Sequence, residues 1–289
     1  MSMSVKTRLV PSILSILKSG QTKLQGVAVL NSETWTPDAL RGLQRQLRLK
    51  EIDYYPEIDS TNSAALTRIR GESIDTPMLV LANEQVAGRG RSDNQWWSTT
   101  GALTFSLVIS LHPPERVQML PLVMGVGVAR ALNEFRGRHS EVHLKWPNDL
   151  FWGERKLAGL LVESVSGKDA LVVGCGINVN QRMEEAPEDV RHHSISMYDR
   201  CGEMFQLPKV LERVLWHMLR VDDEFRRGET GWQSEFRKAC WLTGHIVQVK
   251  QGEQAWVGRC VGIDDHGQLT VETEQGVTVV SSGTIRRMG

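Results

Sequence analysis

What this chain lacks narrows its function first. No run approaches the roughly 18 continuous apolar residues that a membrane-spanning helix requires. The N-terminus has no apolar stretch ending in a cleavage-type site, so no secretory signal is expected and the cytoplasm is the expected location. Cysteine is sparse: Cys175, Cys201, Cys240 and Cys260 are far apart in sequence. That spacing argues against a zinc site or a redox motif and suits reduced, mostly buried thiols. Net charge is also missing, being formally zero at pH 7, so no overall field draws bulk nucleic acid or a membrane surface. The balance is uneven, however. Residues 1–50 hold eight Lys/Arg against Glu33 and Asp38, which makes that stretch +6 and the remainder −6. A basic stretch of this kind is ordinarily a solvated face.

What is present is an ordinary globular composition, 40% hydrophobic and 24% charged over 289 residues, enough for one to three domains. The most distinctive stretch is NEQVAGRGRSDNQWWS, residues 83–98. Gly88 and Gly90 alternate with Arg89 and Arg91, and Trp96 and Trp97 follow. Apolar runs on either side, MLVLA and ALTFSLVIS, read as strands. A glycine-rich loop between strands lets the backbone lie close to a ligand. Two guanidinium groups suit phosphate or carboxylate, and the tryptophans can wall a ring system. The stretch alone points to a small anionic ligand such as a nucleotide.

Pro37 to Leu49 reads as a helix with Thr36 as its cap. Val10–Leu17 suggests a short helix and Val27–Leu30 a short strand. EIDYYPEID is extended, and Ser60-Thr61-Asn62 opens a helix. A Ser or Thr there is most often only an N-cap, unless the helix N-terminus faces a ligand. Residues 116–135 form a helix, and its Gly125-Val126-Gly127 reads as close packing because no strand precedes it. Val142–Lys145 is a short strand ended by the turn Trp146-Pro147-Asn148-Asp149. Residues 157–165 and 170–179 are two apolar strands joined by SGKD, and residues 208–227 are a helix. The segment 181–207 is polar, and its adjacent His192 and His193 do not suit a metal site. From Gly244, short alternating strands with regular turns suggest a small β-barrel or sandwich. The expected division is an arm over 1–35, a catalytic domain over 36–241 and a β module over 242–289.

Taken singly, GRGR, KWPND and Lys156 are weak signals: a lone lysine before a strand is usually a surface residue. Together they are specific. IDSTN (58–62), EQVAGRGR with Trp96 and Ser98, LKWPNDL (144–150), RKLAGLLVE (155–163) and GCGINVN (174–180) stand in an order that resembles the biotin protein ligases. The resemblance implies an α+β fold of the class II synthetase-like, biotin/lipoate ligase type. That fold has a central mixed, mostly antiparallel sheet with flanking helices and a small C-terminal SH3-like β-barrel. It implies ATP and biotin as substrates with Mg2+, and a biotin carboxyl carrier protein as acceptor.

The resemblance also implies residue roles. Lys156, Arg89 and Arg91 would act on the carboxylate and phosphates, and Asp149 on the acceptor lysine. Ser60, Thr61, Asn62 and Gln85 would bind biotin, with the backbone at Gly88 and Gly90 against it. Trp96 would lie beside the adenylate, Asn178 on the nucleotide side, and Arg286 would reach ATP from the C-terminal module. One position departs from the family's loop, where Asp93 stands in place of the usual glycine.

Two other readings remain open at this level. One is a lipoate or octanoate attachment enzyme of the same superfamily. The other is a biotin-responsive DNA-binding regulator. No helix-turn-helix pattern fits the 35 residues before the Thr36-capped helix, so DNA is not an expected partner. Edge-to-edge pairing of the central sheet leaves a homodimer open.

Overall fold

The computed structural model describes residues 6–9, 34–92 and 94–288. The expected helix at Val10–Leu17, the expected strand at Val27–Leu30 and Asp93 lie outside the described residues. Eight strands build the central sheet: β1 (Lys6–Leu9), β2 (Glu51–Ile58), β3 (Met78–Gln85), β4 (Leu103–Ser110), β5 (Val142–Lys145), β6 (Asp149–Trp152), β7 (Arg155–Ser164) and β8 (Ala170–Ile177). Their spatial order is β1-β2-β3-β4-β8-β7-β6-β5. β1 with β2 and β2 with β3 run parallel, and the remaining neighbours run antiparallel. The sheet is therefore mixed and mostly antiparallel, as the sequence suggested.

Helices cover both faces, which explains the unbroken apolar runs of β3, β4 and β8. The helices are α1 (Pro37–Leu47), α2 (Thr61–Gly71), α3 (Pro114–Val117), α4 (Leu120–Asn133), α5 (Glu188–Arg191), α6 (Met197–Cys201), α7 (Leu207–Arg226) and α8 (Gly231–Ala239). On one face, Leu79 and Leu81 of β3 share a core with Leu40 and Leu43 of α1, Val123 and Val126 of α4, and Val210 and Val214 of α7. On the other, Met78 and Val80 meet Ala65, Leu66 and Ile69 of α2. The period of two along β3 thus feeds two separate cores. Thr36 caps α1 by accepting from Ala39 N at 3.2 Å. The expected helix over 116–135 is split: α3 ends at Val117 and α4 begins at Leu120. The close-packing reading of Gly127 holds, since a Cβ there would sit 3.0 Å from the His217 carbonyl oxygen of α7.

Five further strands form a separate antiparallel sheet: β9 (Ile246–Gln251), β10 (Gln254–Ile263), β11 (Leu269–Thr273), β12 (Gly276–Val280) and β13 (Thr284–Arg287). Its order is β12-β11-β10-β9-β13. No ladder joins β12 to β13 among the described residues, so the expected barrel is seen as an open sheet. Its inner residues Val247, Val249, Leu269 and Val271 belong to the same core as the first face of the central sheet. Trp146 Nε1 donates to the Gly267 carbonyl at 3.0 Å. Arg237 of α8 pairs with Asp265 at 2.7 Å. These contacts bring the C-terminal sheet against the β5–β6 end of the central one.

Candidate active site

The glycine-arginine loop, the KWPND turn and the start of β7 meet at one cavity of about 820 Å³. Its walls include Ser60, Thr61, Asn62, Gln85, Arg89, Gly90, Arg91, Trp96, Asp149 and Lys156. Lys250, Gly252 and the stretch Ser282–Ile285 add a rim from the C-terminal sheet. Ten of the residues singled out from sequence therefore share one space, although they come from four separate motifs.

At one end stands a neutral hydrogen-bonding floor. Ser60 is the N-cap of α2, and its side chain accepts from Ser63 N at 3.5 Å. Capping and cavity lining coincide here, so the N-terminal end of α2 faces the cavity. Thr61 N donates to Gln85 Oε1 at 2.7 Å, and Thr61 Oγ1 does so at 3.0 Å. Ser106, fully buried in β4, donates to Asn62 Oδ1 at 2.6 Å and sits 2.8 Å from Thr61 Oγ1. Residues 88–92 and 94–96 form the arms of a small hairpin over this floor, with Trp96 N donating to Gly88 O at 2.9 Å and Gly90 N to Asn94 O at 2.8 Å. Gly88 itself lies behind the cavity lining. A Cβ there would overlap the Trp96 carbonyl, so glycine permits the turn to close on itself.

At the other end the cations gather. Lys156 Nζ pairs with Asp149 Oδ1 at 2.7 Å and lies 5.8 Å from the Trp96 ring centre. A register shift between Leu150 and Phe151 creates this pair: Asp149 opposes Gly159, whereas Phe151 opposes Lys156. In unbroken register Lys156 would oppose Trp152 and point to the opposite face from Asp149. Its backbone is fixed too, as Lys156 N donates to His193 O at 2.8 Å and Ile195 N to Lys156 O at 2.9 Å. The polar segment around His193 thus clamps the lysine strand. Arg91 Nη1 reaches Asn148 Oδ1 at 3.5 Å.

Besides Gly88, two of the expected residues stand outside the cavity lining. Asn178 is buried behind it, donating to Ile195 O at 3.2 Å and accepting from Gln181 at 3.1 Å. Arg286 is exposed on β13. Lys250 of β9, opposite Thr284 in register, is the C-terminal cation at the rim.

The sequence reading missed Lys145. It lines the cavity, and its ammonium sits 4.7 Å from the Phe151 ring centre and 5.7 Å from that of Trp241. Burial pushes its pKa below the usual lysine range; Asp149 opposes that shift and Lys156 adds to it. It opens the KWPND motif, but a charged residue ending a strand carries no mark of burial in sequence. Glu163 was also missed. It pairs with Arg89, an interaction between residues 74 positions apart.

The arrangement offers a neutral hydrogen-bonding floor joined to a cationic end, with an aromatic wall between. That suits a small ligand carrying a carboxylate that meets a phosphate. Comparison with known proteins agrees. Residues 54–180 match the model of the biotin/lipoate A/B protein ligase family, and residues 243–286 match that of the biotin protein ligase C terminal domain. The chain is 33% identical over 250 residues to the bifunctional ligase/repressor BirA of Escherichia coli, spanning 82% of this chain and 76% of that one. It is 29% identical over 241 residues to the biotin--[acetyl-CoA-carboxylase] ligase of Mycobacterium tuberculosis, spanning 82% and 88%. Among solved structures, the biotin protein ligase from Aquifex aeolicus in complex with biotin and ATP superposes with a TM-score of 0.72 at 31% identity, covering 82% of this chain and 99% of that one.

Proposed function

The chain belongs to the biotin/lipoate A/B protein ligase family, on its biotin protein ligase branch, and from that premise we propose how its residues perform an ATP-dependent biotinylation. The biotin carboxylate attacks the α-phosphorus of ATP, the bond to the β-phosphate breaks, and pyrophosphate leaves. A carrier-protein lysine amine then attacks the acyl carbon of biotinyl-5′-AMP, an amide forms, and AMP departs.

The observation that carries this reading is the meeting of a neutral floor and a cationic end in one cavity. Thr61 and Gln85 supply donors and acceptors for the uncharged head of biotin, with Ser60 and Asn62 beside them. Lys156 and Arg91 stand where charge develops on the carboxylate and the α-phosphate, and fixed cations there lower the barrier. Trp96 walls the adenylate. The glycine-arginine hairpin excludes water from a hydrolysable anhydride. Asp149, held by Lys156 in the ligand-free state, is freed when Lys156 turns to phosphate and then receives the acceptor amine's proton. Asn178 acts from behind the wall by fixing the strand that bears Lys156. Arg286 reaches ATP through movement of β13.

No group of three potential metal-ligating side chains lies together among the described residues. The oxygen donors at the cavity edge, Asp149 and Asn148, fit an ion carried mainly on the nucleotide. Magnesium held in that way supplies charge neutralisation to the phosphates. The acceptor is a biotin carboxyl carrier protein, the C-terminal sheet is an SH3-like module, and the chain divides at 36–241 and 242–289. The decisive measurement is ATP–pyrophosphate exchange with biotin or lipoate as the acid. Exchange that needs biotin, followed by transfer to a carrier domain, is expected; exchange supported by lipoate alone would overturn the assignment.

A further inference from the structure

The two arginines of the loop do not face the same partner. Arg91 reaches the KWPND turn through Asn148, beside the Lys156–Asp149 pair. Arg89 turns the other way, pairing with Glu163 on β7 and donating to Ser63 Oγ of α2 at 3.2 Å. Glu163 is about three-quarters buried, with 23% side-chain exposure. Its second oxygen accepts from Asn62 Nδ2 at 2.7 Å. Asn62 in turn accepts from Ser106 at 2.6 Å, and Ser106 adjoins Thr61, which holds Gln85. One carboxylate thus ties the root of the hairpin to the hydrogen-bonded floor.

We propose that Glu163 is a positioning residue that anchors the hairpin through Arg89, leaving Arg91 as the loop's phosphate-facing cation. This rests on the biotin–ATP reading of the cavity. The physical ground is the cost of the alternative. If Arg89 swung to the phosphates, Glu163 would keep a mostly buried negative charge with only an amide donor, an arrangement that is strongly unfavourable. Arg89 also opposes Gln95 across the hairpin, so holding its side chain holds both arms. Because Asn62 shares Glu163 with Arg89, the floor and the hairpin are set by the two oxygens of one carboxylate. A shift of either is felt by the other.

The test is Glu163→Gln, which keeps the shape and an acceptor for Asn62 but removes the charge. In the ligand-free protein, tryptic cleavage after Arg91 should rise about three- to tenfold, the range of a partly exposed ion pair. The KM for biotin should rise by a similar factor. The kcat of pyrophosphate exchange should fall by less than about threefold, because the phosphate cations are untouched. Arg89→Gln should behave alike, and the double variant should be no worse than either single one. The swap Arg89→Glu with Glu163→Arg should recover protection of Arg91, which also guards against a Gln variant that merely unfolds. Unchanged cleavage and unchanged KM would overturn the proposal. So would a hundredfold loss of kcat at constant KM, which would put Arg89 on the phosphate. The proteolysis arm involves no substrate, so it stands apart from any failure of the biotin assignment itself.

Discussion

A lysine set against a pair of packed aromatic rings is an uncommon choice at the wall of a core. Lys145 lies against the packed rings of Phe151 and Trp241, and its ammonium is desolvated enough to lower its pKa. A lowered folded-state pKa means that the charged folded form carries a cost that the unfolded chain does not. The cost is full at neutral pH and fades as pH rises towards the unfolded lysine value, about 10.4. Lys145→Met should therefore raise Tm by about 2–4 °C near pH 7, and the gain should shrink near pH 10. The same change should raise the KM for ATP, since a cation at the phosphate end is lost. A Tm gain that is constant between pH 7 and pH 10 would remove burial of the charge as its cause. Of the residues named from sequence, Thr61, Gln85, Arg91, Asp149 and Lys156 were singled out through the family roles that their motifs imply, and the cavity brings them together. Glu163 and Lys145 stand in the same motifs but were passed over, because their significance lies in what faces them.

At the scale of elements, the GCG of β8 has a meaning that periodicity alone does not reveal. Gly174 and Gly176 lie on one face of the strand, two residues apart. A Cβ on Gly174 would overlap the Asn62 amide, and one on Gly176 would overlap the Trp96 indole. β8 is thus a shallow trough that admits a floor residue and a loop residue side by side. Gly176→Ala should push Trp96 off the strand and raise the KM for ATP about tenfold, a loss of about 1.4 kcal/mol. Overpacking at a snug contact costs a similar amount of stability. An unmoved KM for ATP, measured beside that for biotin, would detach Trp96 from the nucleotide. The long apolar strands were legible because both sheet faces are covered. α8 was not, since only Trp232, Gln233 and Phe236 of its nine residues are buried. The hinge between α3 and α4 escaped notice because apolar residues continue across it.

At the scale of the whole molecule, the C-terminal sheet is part of the cavity and not an appendage. Trp146, inside the KWPND turn, is bonded to Gly267, so the motif that presents Asp149 also seats the second sheet. Lys250 at the rim is the consequence with a simple test. Lys250→Ala should raise the KM for ATP about threefold at low salt, with biotin affected less. The difference should shrink at high salt, because an exposed cation is screened. Indifference to salt, or a change confined to biotin, would place Lys250 away from the phosphates.

The sequence by itself determined the apolar runs that become strands covered on both faces, the caps of α1 and α2, the glycine-rich loop and the family. Each of these is local, or is written as a contiguous motif. The tertiary structure decided which residues face one another. The bulge in β6–β7 turns Lys156 towards Asp149, and a one-residue shift of register is invisible in a strand that is apolar on both faces. The same holds for the division of labour between Arg89 and Arg91. Two arginines one residue apart look equivalent in sequence, and only the position of Glu163 on a distant strand separates them.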